Sequence, residues 1–484
     1  MIGVHSVADV RAAENELMSR LPDGALMQRA VAGLTSTVAR ILGGPYGARV
    51  AVLAGAGNNG GDALWAGARL ARRGARVEAV LVRPERAHAE GLAALRASGG
   101  RVIADPESAA ATAAVRGADL VLDGILGLGG RGELDDDAAD LAEAAHDHAG
   151  LVVAVDLPSG VMPDSGATPG RHVVADVTVT FGTGKVALVV DPAAAAAGSV
   201  HTIDIGLGPY LPEPDIEVLE PDDVAALLPR PGRESDKYAR GVIGVLAGSQ
   251  QYTGAGVLAV GGAVRGGAGM VRYCGPDAVA AGVRSRWPDV IVSPDVESTG
   301  RVQAWAVGSG LGSRRPDQVP AQGVPVLVDA DALAALPARF DRPALLTPHA
   351  GELARMLGVD RGLVEARRLR HARLAAERWN ATVLLKGSTT LVVAPDGRVR
   401  VNPTGTSALA TAGTGDVLAG LAGSLLAAGL TPLDAGSVAA YAHGEAGRLA
   451  AAAAGYPSAD DVLHHLPVAV RSLRRGRLTE SVPW

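Results

Sequence analysis

Short unbroken apolar runs alternate with Ala-rich segments of helical length through the first half of the chain. The runs cover 49–54, 77–82, 102–104, 120–122, 151–155 and 177–181, and most are bounded by Gly, Asp or Pro. Strands that do not alternate with polar residues are buried on both faces, so the pattern predicts a parallel sheet between helices. Residues 200–205 do alternate and predict an edge strand. Residues 6–20 read as an amphipathic helix capped by Ser6, with Val7, Val10, Leu17 and Leu21 on one face.

The texture changes over 209–236, where Pro209, Pro212, Pro214, Pro221, Pro229 and Pro231 fall among acidic residues. This predicts a linker, with a short helix within 219–228. A second series follows, with strands expected at 242–247, 270–274, 305–307, 324–329, 344–346 and 382–386. Runs 391–394 and 399–402 flank Pro395-Asp396-Gly397-Arg398 as a hairpin, and 416–429 reads as a buried helix. The chain is therefore expected to be α/β throughout, with domains at 1–208 and 237–484 joined by a linker at 209–236.

Composition narrows the function. Of 484 residues 48% are apolar and 20% charged, which excludes a disordered chain. A net charge of −6 gives no excess that would attract nucleic acid or a membrane surface. Cys274 is alone, so neither an internal disulfide nor a cysteine zinc site is expected. The first residues lack a basic region followed by an apolar one, so no secretory signal is expected. The longest uncharged stretch, 241–264, is broken by Ser249-Gln250-Gln251-Tyr252-Thr253 and reads as strand, loop and helix rather than a membrane span. A cytoplasmic protein is expected.

Three loops of the first half follow strands and so fall at the carboxyl edge of the sheet, where ligands bind. The first is Gly55-Ala56-Gly57-Asn58-Asn59-Gly60-Gly61-Asp62. It contains G-x-G-x-x-G, yet the next strand ends Leu81-Val82-Arg83 without the acid of an ordinary NAD site. It reads either as an anion site at a helix start with oxygen donors for a hard cation, or as a capped Gly-rich turn. The second loop begins at Asp123 and runs through Gly127-Leu128-Gly129-Gly130-Arg131-Gly132; the third is Asp156-Leu157-Pro158-Ser159-Gly160. Asp156 ends an apolar strand, where partial burial suits a proton-transfer group, although each Asp is also a plausible helix cap.

In the second half Gly413-Thr414-Gly415-Asp416 opens the buried helix. Backbone N–H groups and the helix dipole there can stabilise a transferring phosphoryl group, with Asp416 as base; the alternative is a capped helix with Asp in its first turn. The chain has three lysines, Lys185, Lys237 and Lys386, while the other 42 of its 45 basic residues are arginine. Each lysine lies in a motif segment and is a compact charge suited to phosphate. Arg367, Arg368, Arg370 and Arg373, with Glu365 and Glu377, read as the solvated face of a helix.

The GAGNNGGD loop, the Asp123 loop, DLPSG and Phe181-Gly182-Thr183-Gly184-Lys185, in this order over about residues 1–207, resemble the NAD(P)H-hydrate epimerase family. Ala63 stands where that family usually has Gly. The resemblance implies a Rossmann-like three-layer αβα domain. It implies that Asn58, Asn59, Gly60, Gly61 and Asp62 contact the dinucleotide, and that Gly127, Leu128, Gly129, Gly130, Arg131, Gly132 and Glu133 line the substrate. It implies a potassium ion between Asn59, Asp123 and Ser159, with Asp156 as acid/base and substrate contact and Lys185 beside it. Hydrated NADH carries a hydroxyl on a ring carbon next to nitrogen; the nitrogen can expel it, or the ring can open, and re-addition can occur on either face.

Residues 235–475 resemble the ribokinase-like superfamily, and within it the ADP-dependent NAD(P)H-hydrate dehydratases. The resemblance uses Lys237-Tyr238-Ala239-Arg240-Gly241, Val307-Gly308-Ser309-Gly310-Leu311-Gly312, Val328-Asp329-Ala330-Asp331, Thr347-Pro348-His349-Ala350-Gly351-Glu352, Leu385-Lys386-Gly387 and the GTGD run. It implies a ribokinase-like αβα domain in which Ala255, Gly312, His349 and Asp416 face the hydrated nucleotide. Lys386, Gly387, Ser388, Thr389, Thr390, Gly413, Thr414 and Gly415 would face ADP, with magnesium. Thr406-Ser407-Ala408-Leu409 and Ala412 depart from the family pattern beside the anion hole. Together the halves imply a bifunctional repair enzyme. It would interconvert R and S hydrates of NADH and NADPH, then phosphorylate the S form from ADP, giving AMP, and eliminate phosphate. A homo-oligomer is expected, with no nucleic-acid or membrane partner.

Overall fold

The computed structural model describes residues 1–312 and 323–475. The chain divides into two compact units, Gly3–Asp215 and a second that begins at Ile216 and also takes in Met1–Ile2.

In the first unit seven parallel strands lie in the order Arg101–Ile103, Arg76–Leu81, Arg49–Ala54, Leu120–Gly124, Val152–Val155, Val177–Phe181, Ser199–Ile203. Successive side chains of a strand point to opposite faces. Val50, Val52, Leu122 and Val155 accordingly join one apolar cluster with helices Val7–Met18, Ala25–Ile41 and Asn58–Arg72. Ala51, Leu53, Val121 and Ala154 join another with Ala109–Arg116 and Asp136–His148. Both faces of the sheet are covered, which is why its strands read as unbroken apolar runs. The last strand lies at the edge, as its alternation predicts. Chain order reverses between Arg49–Ala54 and Leu120–Gly124, and this opens a crevice at their carboxyl ends. Two short strands escape the sequence pattern: Ile2–His5 pairs in parallel with Gly184–Lys185, setting His5 beside Lys185.

The second unit's sheet runs Ile291–Ser293, Met270–Cys274, Val242–Leu246, Ala304–Val307, Val326–Val328, Ala344–Leu346, Thr382–Leu385, Thr390–Val393, Val399–Asn402, Ile216–Val218. It is parallel except where the hairpin strand Thr390–Val393 lies antiparallel to both its neighbours. Leu384 and Val392 point into a cluster with helices Thr253–Arg265, Thr414–Ala427, Pro432–Ala454 and Ala459–Arg474. The alternating Val383, Leu385, Leu391 and Val393 are buried outside that cluster, and Arg368–Trp379 packs on the same strands. The uncharged stretch 241–264 is the expected strand, loop and helix, and among the described residues no helix is long and apolar enough to cross a membrane.

The Pro-rich stretch 209–236 departs from a simple linker. Ile216–Val218 pairs in parallel with Val399–Asn402, and Pro221–Leu227 is a helix. Leu219, Val224 and Leu228 are buried in the second unit's core, so apolar residues between the prolines anchor this segment. Pro221 opens the helix, where its missing N–H has no intrahelical partner to lose.

Helices Thr253–Arg265 and Thr414–Ala427 touch backbone to backbone. A Cβ on Gly420 would lie 1.9 Å from Ala259 O, and one on Gly262 would lie 2.2 Å from Val417 O. The two glycines therefore fix the depth at which the helix bearing Asp416 seats.

Candidate functional site

In the first unit the crevice walls are the Gly55 and Asp123 loops. A Cβ on Gly55 would meet Ile125 O at 1.9 Å, so the loops close backbone against backbone. Helix Asn58–Arg72 starts here, with Asn58 exposed, Asn59 half-buried and Gly60, Gly61 and Asp62 buried. Gly127 lies against the Asn59 amide, its Cβ position 2.9 Å from Asn59 Oδ1. Leu128 and Gly130 are half-buried, and Gly129 and Arg131 exposed. Gly132 and Glu133 instead pack toward Pro169 and Gly170.

Asp123 is fully buried at the end of its strand. Its carboxylate accepts from Ser159 N at 2.8 Å, Ser159 Oγ at 2.6 Å and Ile125 N at 3.2 Å. Burial pushes its pKa up to about 6, against the pull of those hydrogen bonds. Ser159 Oγ lies 2.6 Å from Asp123 Oδ1 and 3.0 Å from Leu126 O. One hydroxyl hydrogen cannot serve both. The Asn59 side-chain amide, which lies against Gly127, has its nitrogen buried without a hydrogen-bond partner. The oxygens of Asp123, Ser159 and Leu126 thus lie together, the donor type that a hard cation takes.

Asp156 takes a left-handed backbone, φ 68°, straight after strand Val152–Val155. That turn brings its carboxylate back to the neighbouring strand. Oδ1 accepts from Thr180 Oγ1 at 3.0 Å and from Lys185 Nζ at 2.7 Å. Lys185 also donates to Thr180 Oγ1 at 2.8 Å and Phe181 O at 2.7 Å, which uses all three ammonium protons. The segment carrying Lys185 is pinned by His5, whose Nδ1 lies 2.8 Å from Thr183 Oγ1. Asp62 has a buried oxygen with no hydrogen-bond partner, and burial, with the nearby Asp156 and Glu14 charges, drives its carboxyl well above the usual range. Burial and Asp156 raise Glu14 in the same sense, while Lys185 opposes.

In the second unit five loops meet at the carboxyl ends of parallel strands. Lys386 Nζ donates to Asp329 Oδ1 at 3.0 Å and lies 3.7 Å from Glu352 Oε2. Burial pulls the ammonium pKa down, but Asp329 and Glu352 overcome this and raise it. Asp329 also accepts from Thr347 Oγ1 at 2.8 Å and Ser309 Oγ at 3.2 Å. Asp416 sits in the first turn of Thr414–Ala427, after Gly413 in the left-handed conformation at φ 91°. Burial and then the Asp329 charge push Asp416 up to about 7, while Ser309 and Lys386 pull the other way. Lys386 reaches that helix start: a Cβ on Gly415 would be 3.6 Å from its Nζ.

His349 caps helix Ala350–Leu357. Its Nδ1 accepts from Gly351 N at 3.0 Å and Glu352 N at 3.3 Å, and Glu352 accepts from His349 N at 2.8 Å. Partial burial holds its imidazole below the ordinary pKa, consistent with an unprotonated Nδ1. Gly312 is tied to Asp331 through its N–H at 2.9 Å, and Ala255 faces Gly310. Gly387 and Ser388 are exposed, Thr389 half-buried, and Thr390 begins the hairpin strand. Thr414 turns its hydroxyl back to Leu409 O at 2.8 Å, tying the departing 406–409 run to the helix start.

Two expectations about charge are corrected. Lys237 lies on an exposed turn over the Tyr238 ring and joins neither cluster. Arg368 is buried, not solvated: its guanidinium faces the carbonyls of the 385–389 loop, whereas Arg367, Arg370 and Arg373 are exposed as expected. Sequence reasoning gave no role to Asp329, Glu352, Thr180 or Glu14. Asp329 carried a usable signal, since it ends an apolar strand just as Asp156 does.

Residues 23–187 match the family described as YjeF-related protein N-terminus, and residues 243–467 match NAD(P)H-hydrate dehydratase. A Mycobacterium leprae protein named bifunctional NAD(P)H-hydrate repair enzyme Nnr is 44% identical over 97% of this chain and 99% of its own length. A Mycobacterium tuberculosis protein of the same name is 47% identical over 88% of this chain and 89% of its own. Among solved structures, an ADP/ATP-dependent NAD(P)H-hydrate dehydratase from Bacillus subtilis, co-crystallised with ATP and Mg2+, is 30% identical with a TM-score of 0.47, covering 52% of this chain and 97% of its own. The chain belongs to the family of bifunctional NAD(P)H-hydrate repair enzymes, with the epimerase domain first and the dehydratase domain second.

Proposed function

We propose that the chain restores damaged NADH and NADPH in two steps, epimerising R and S hydrates in its first unit and dehydrating the S hydrate in its second at the expense of ADP. One observation carries the reading most: Asp416 sits in the first turn of a buried helix whose start Lys386 reaches, and burial with the Asp329 charge raises its pKa to about 7. A base near neutrality beside a cation and a helix N-terminus is what phosphoryl transfer to a hydroxyl requires.

In the first unit the lysine-paired Asp156 acts as base. It takes the proton of the ring hydroxyl, the adjacent carbon–nitrogen bond opens to an aldehyde with its electron pair passing to the ring nitrogen, and attack of that nitrogen on the other face of the carbonyl recloses the ring and returns the proton to oxygen. Lys185 and Thr180 hold the carboxylate in place. Asn58, Asn59 and the helix start bind the dinucleotide, and Gly127 to Glu133 cover it. Asn59, Asp123 and Ser159 would hold potassium; the oxygens of Asp123, Ser159 and Leu126 that lie together there support this reading. Potassium bound there would supply a fixed positive charge for the substrate's anionic groups.

In the second unit Asp416 takes the hydroxyl proton as that oxygen bonds to the terminal phosphorus of ADP and AMP leaves. The ring nitrogen then expels phosphate, and the neighbouring carbon gives up a proton to restore the double bond. Phosphate leaves far more readily than hydroxide. Lys386 and the N–H groups from Gly413 to Gly415 carry the phosphoryl charge, the 386–390 loop holds the adenine nucleotide, and His349 Nε2, Ala255 and Gly312 line the hydrate. Asp329 and Glu352 are already engaged by Lys386; magnesium, when bound with the nucleotide, would supply further positive charge for the phosphates. We place the reaction in the cytoplasm, where both nucleotides are made and used.

The test is recovery of reduced-nicotinamide absorbance from a mixed R/S hydrate preparation with ADP, magnesium and potassium. Fast, complete recovery is expected. A fast partial phase with a tail at the spontaneous epimerisation rate removes the first activity. No recovery with ADP or ATP replaces the second with a small-molecule kinase.

A further inference from the structure

Arg368 is the first residue of helix Arg368–Trp379 and is buried. Both circumstances work against a cation. A positive charge at a helix start opposes the macrodipole, and burial strips its hydration. Its surroundings show what it does there. One guanidinium nitrogen donates to Lys386 O at 3.1 Å and Thr389 O at 3.2 Å, with Leu385 O at 3.4 Å. Residue 387 has no side chain where the guanidinium lies, since a Cβ on Gly387 would sit 2.3 Å from that nitrogen. A second element closes on the loop: a Cβ on Gly405 would be 2.2 Å from Ser388 O. The loop is clamped between an arginine and a glycine backbone.

A trans peptide carries its C=O and N–H on opposite sides. The unit joining Leu385 to Lys386 obeys this visibly, its carbonyl turned to Arg368 and its N–H donating to Pro348 O at 2.9 Å. The next unit turns the Lys386 carbonyl to Arg368, so the Gly387 N–H faces away from it. A carbonyl hydrogen-bonded to a cation also polarises its own peptide and strengthens that N–H as a donor.

We propose that Arg368 is a positioning residue of the adenine-nucleotide site: by gathering the carbonyls of the 385–389 loop it presents the Gly387 N–H to a nucleotide phosphate. This rests on the reading that the loop faces ADP. Arg368 itself does not touch the nucleotide.

The experiment compares Arg368→Met, Arg368→Lys and Gly387→Ala in the full chain. ADP affinity is measured by calorimetry, KM for ADP and for the S hydrate by turnover, and the epimerase rate serves as a folding control in the same chain. Arg368→Met is expected to weaken ADP binding about tenfold, the scale of hydrogen bonds to a charged group. KM for the hydrate and the epimerase rate should stay within about twofold, since the hydrate-facing residues Ala255, Gly312, His349 and Asp416 and the whole epimerase unit lie outside the 385–389 loop. Arg368→Lys, which keeps the charge but not the planar fork, should fall between. Gly387→Ala should weaken ADP binding by itself and add little to Arg368→Lys, because both disturb one contact. ADP affinity unchanged in Arg368→Lys and Gly387→Ala overturns the proposal, as does a parallel loss of hydrate KM, kcat and thermal stability. Wild type that binds ADP but does not turn over hydrate overturns the repair reading alone, and the affinities still decide the role of Arg368. Wild type that binds neither ADP nor ATP overturns both.

Discussion

Lys185 and Asp156 form an ion pair at 2.7 Å with the lysine side chain 2% exposed and the carboxylate 9%. Such a pair earns little net stability, but breaking it strands a buried charge. Lys185→Met should therefore destabilise the first unit by about 3–5 kcal/mol. Asp156→Asn with Lys185→Met should recover much of that, because nothing charged is left behind. Urea unfolding of the single and double variants reads the difference; equal losses would mean the pair is not the source.

Catalysis separates from that stability effect. Asp156→Asn keeps the shape and removes the base, so epimerisation should fall by about 10²–10⁴-fold. Dehydration of pure S hydrate should be unchanged. Unchanged consumption of R hydrate would leave the first unit as a binding module.

The second unit should show an acid limb. In the proposed mechanism Asp416 acts as the carboxylate, and burial with the Asp329 charge raises its pKa to about 7. Activity is then full above that value and falls about tenfold per pH unit below it. Asp416→Asn should cost about 10²–10⁴-fold and abolish the limb. A rate flat from pH 5.5 to 8 in wild type would exclude Asp416 as the base.

Potassium and protons should compete at Asp123. The carboxyl titrates at about 6, so potassium stimulation of epimerisation should weaken as pH falls through that value. Asp123→Asn should lose the stimulation at every pH while sparing dehydration. The check is the epimerase rate against potassium at pH 5.5 and 7.5, with sodium balancing ionic strength.

Several of these residues were legible because strand ends announce them. Asp123 and Asp156 each close an apolar run, and the structure sets them where those runs place them, at the carboxyl edge. Asp416 was legible from its glycine-flanked helix start. Arg368 was not, because an arginine among Arg367, Arg370 and Arg373 has the composition of a solvated face. Only the helix's rotation against strand Thr382–Leu385 decides which arginine turns inward. Ile2–His5 and Ile216–Val218 were missed for a related reason. Their sequences, Ile2-Gly3-Val4-His5 and Ile216-Glu217-Val218, are not unbroken apolar runs, and their partners Gly184–Lys185 and Val399–Asn402 are remote in sequence.

Ala63, the departure in the GAGNNGGD helix, has a structural counterpart. A Cβ on Gly124 would lie 2.4 Å from the Ala63 Cβ, so residue 63 can carry a methyl only while residue 124 carries none. Gly124→Ala should overpack this contact and cost about 1–3 kcal/mol. Ala63→Gly alone should cost about 1 kcal/mol through helix propensity. The double variant should be more stable than the sum of the single losses by at least about 0.5 kcal/mol, the coupling expected of touching residues. Epimerase rates should follow the same order, because the overpacked contact lies beside Asp123 and Asn59. Strict additivity in urea unfolding would mean that Gly124 is required by its other close neighbours, Asn59 O at 3.1 Å and Leu53 O at 3.3 Å, and that Ala63 is incidental.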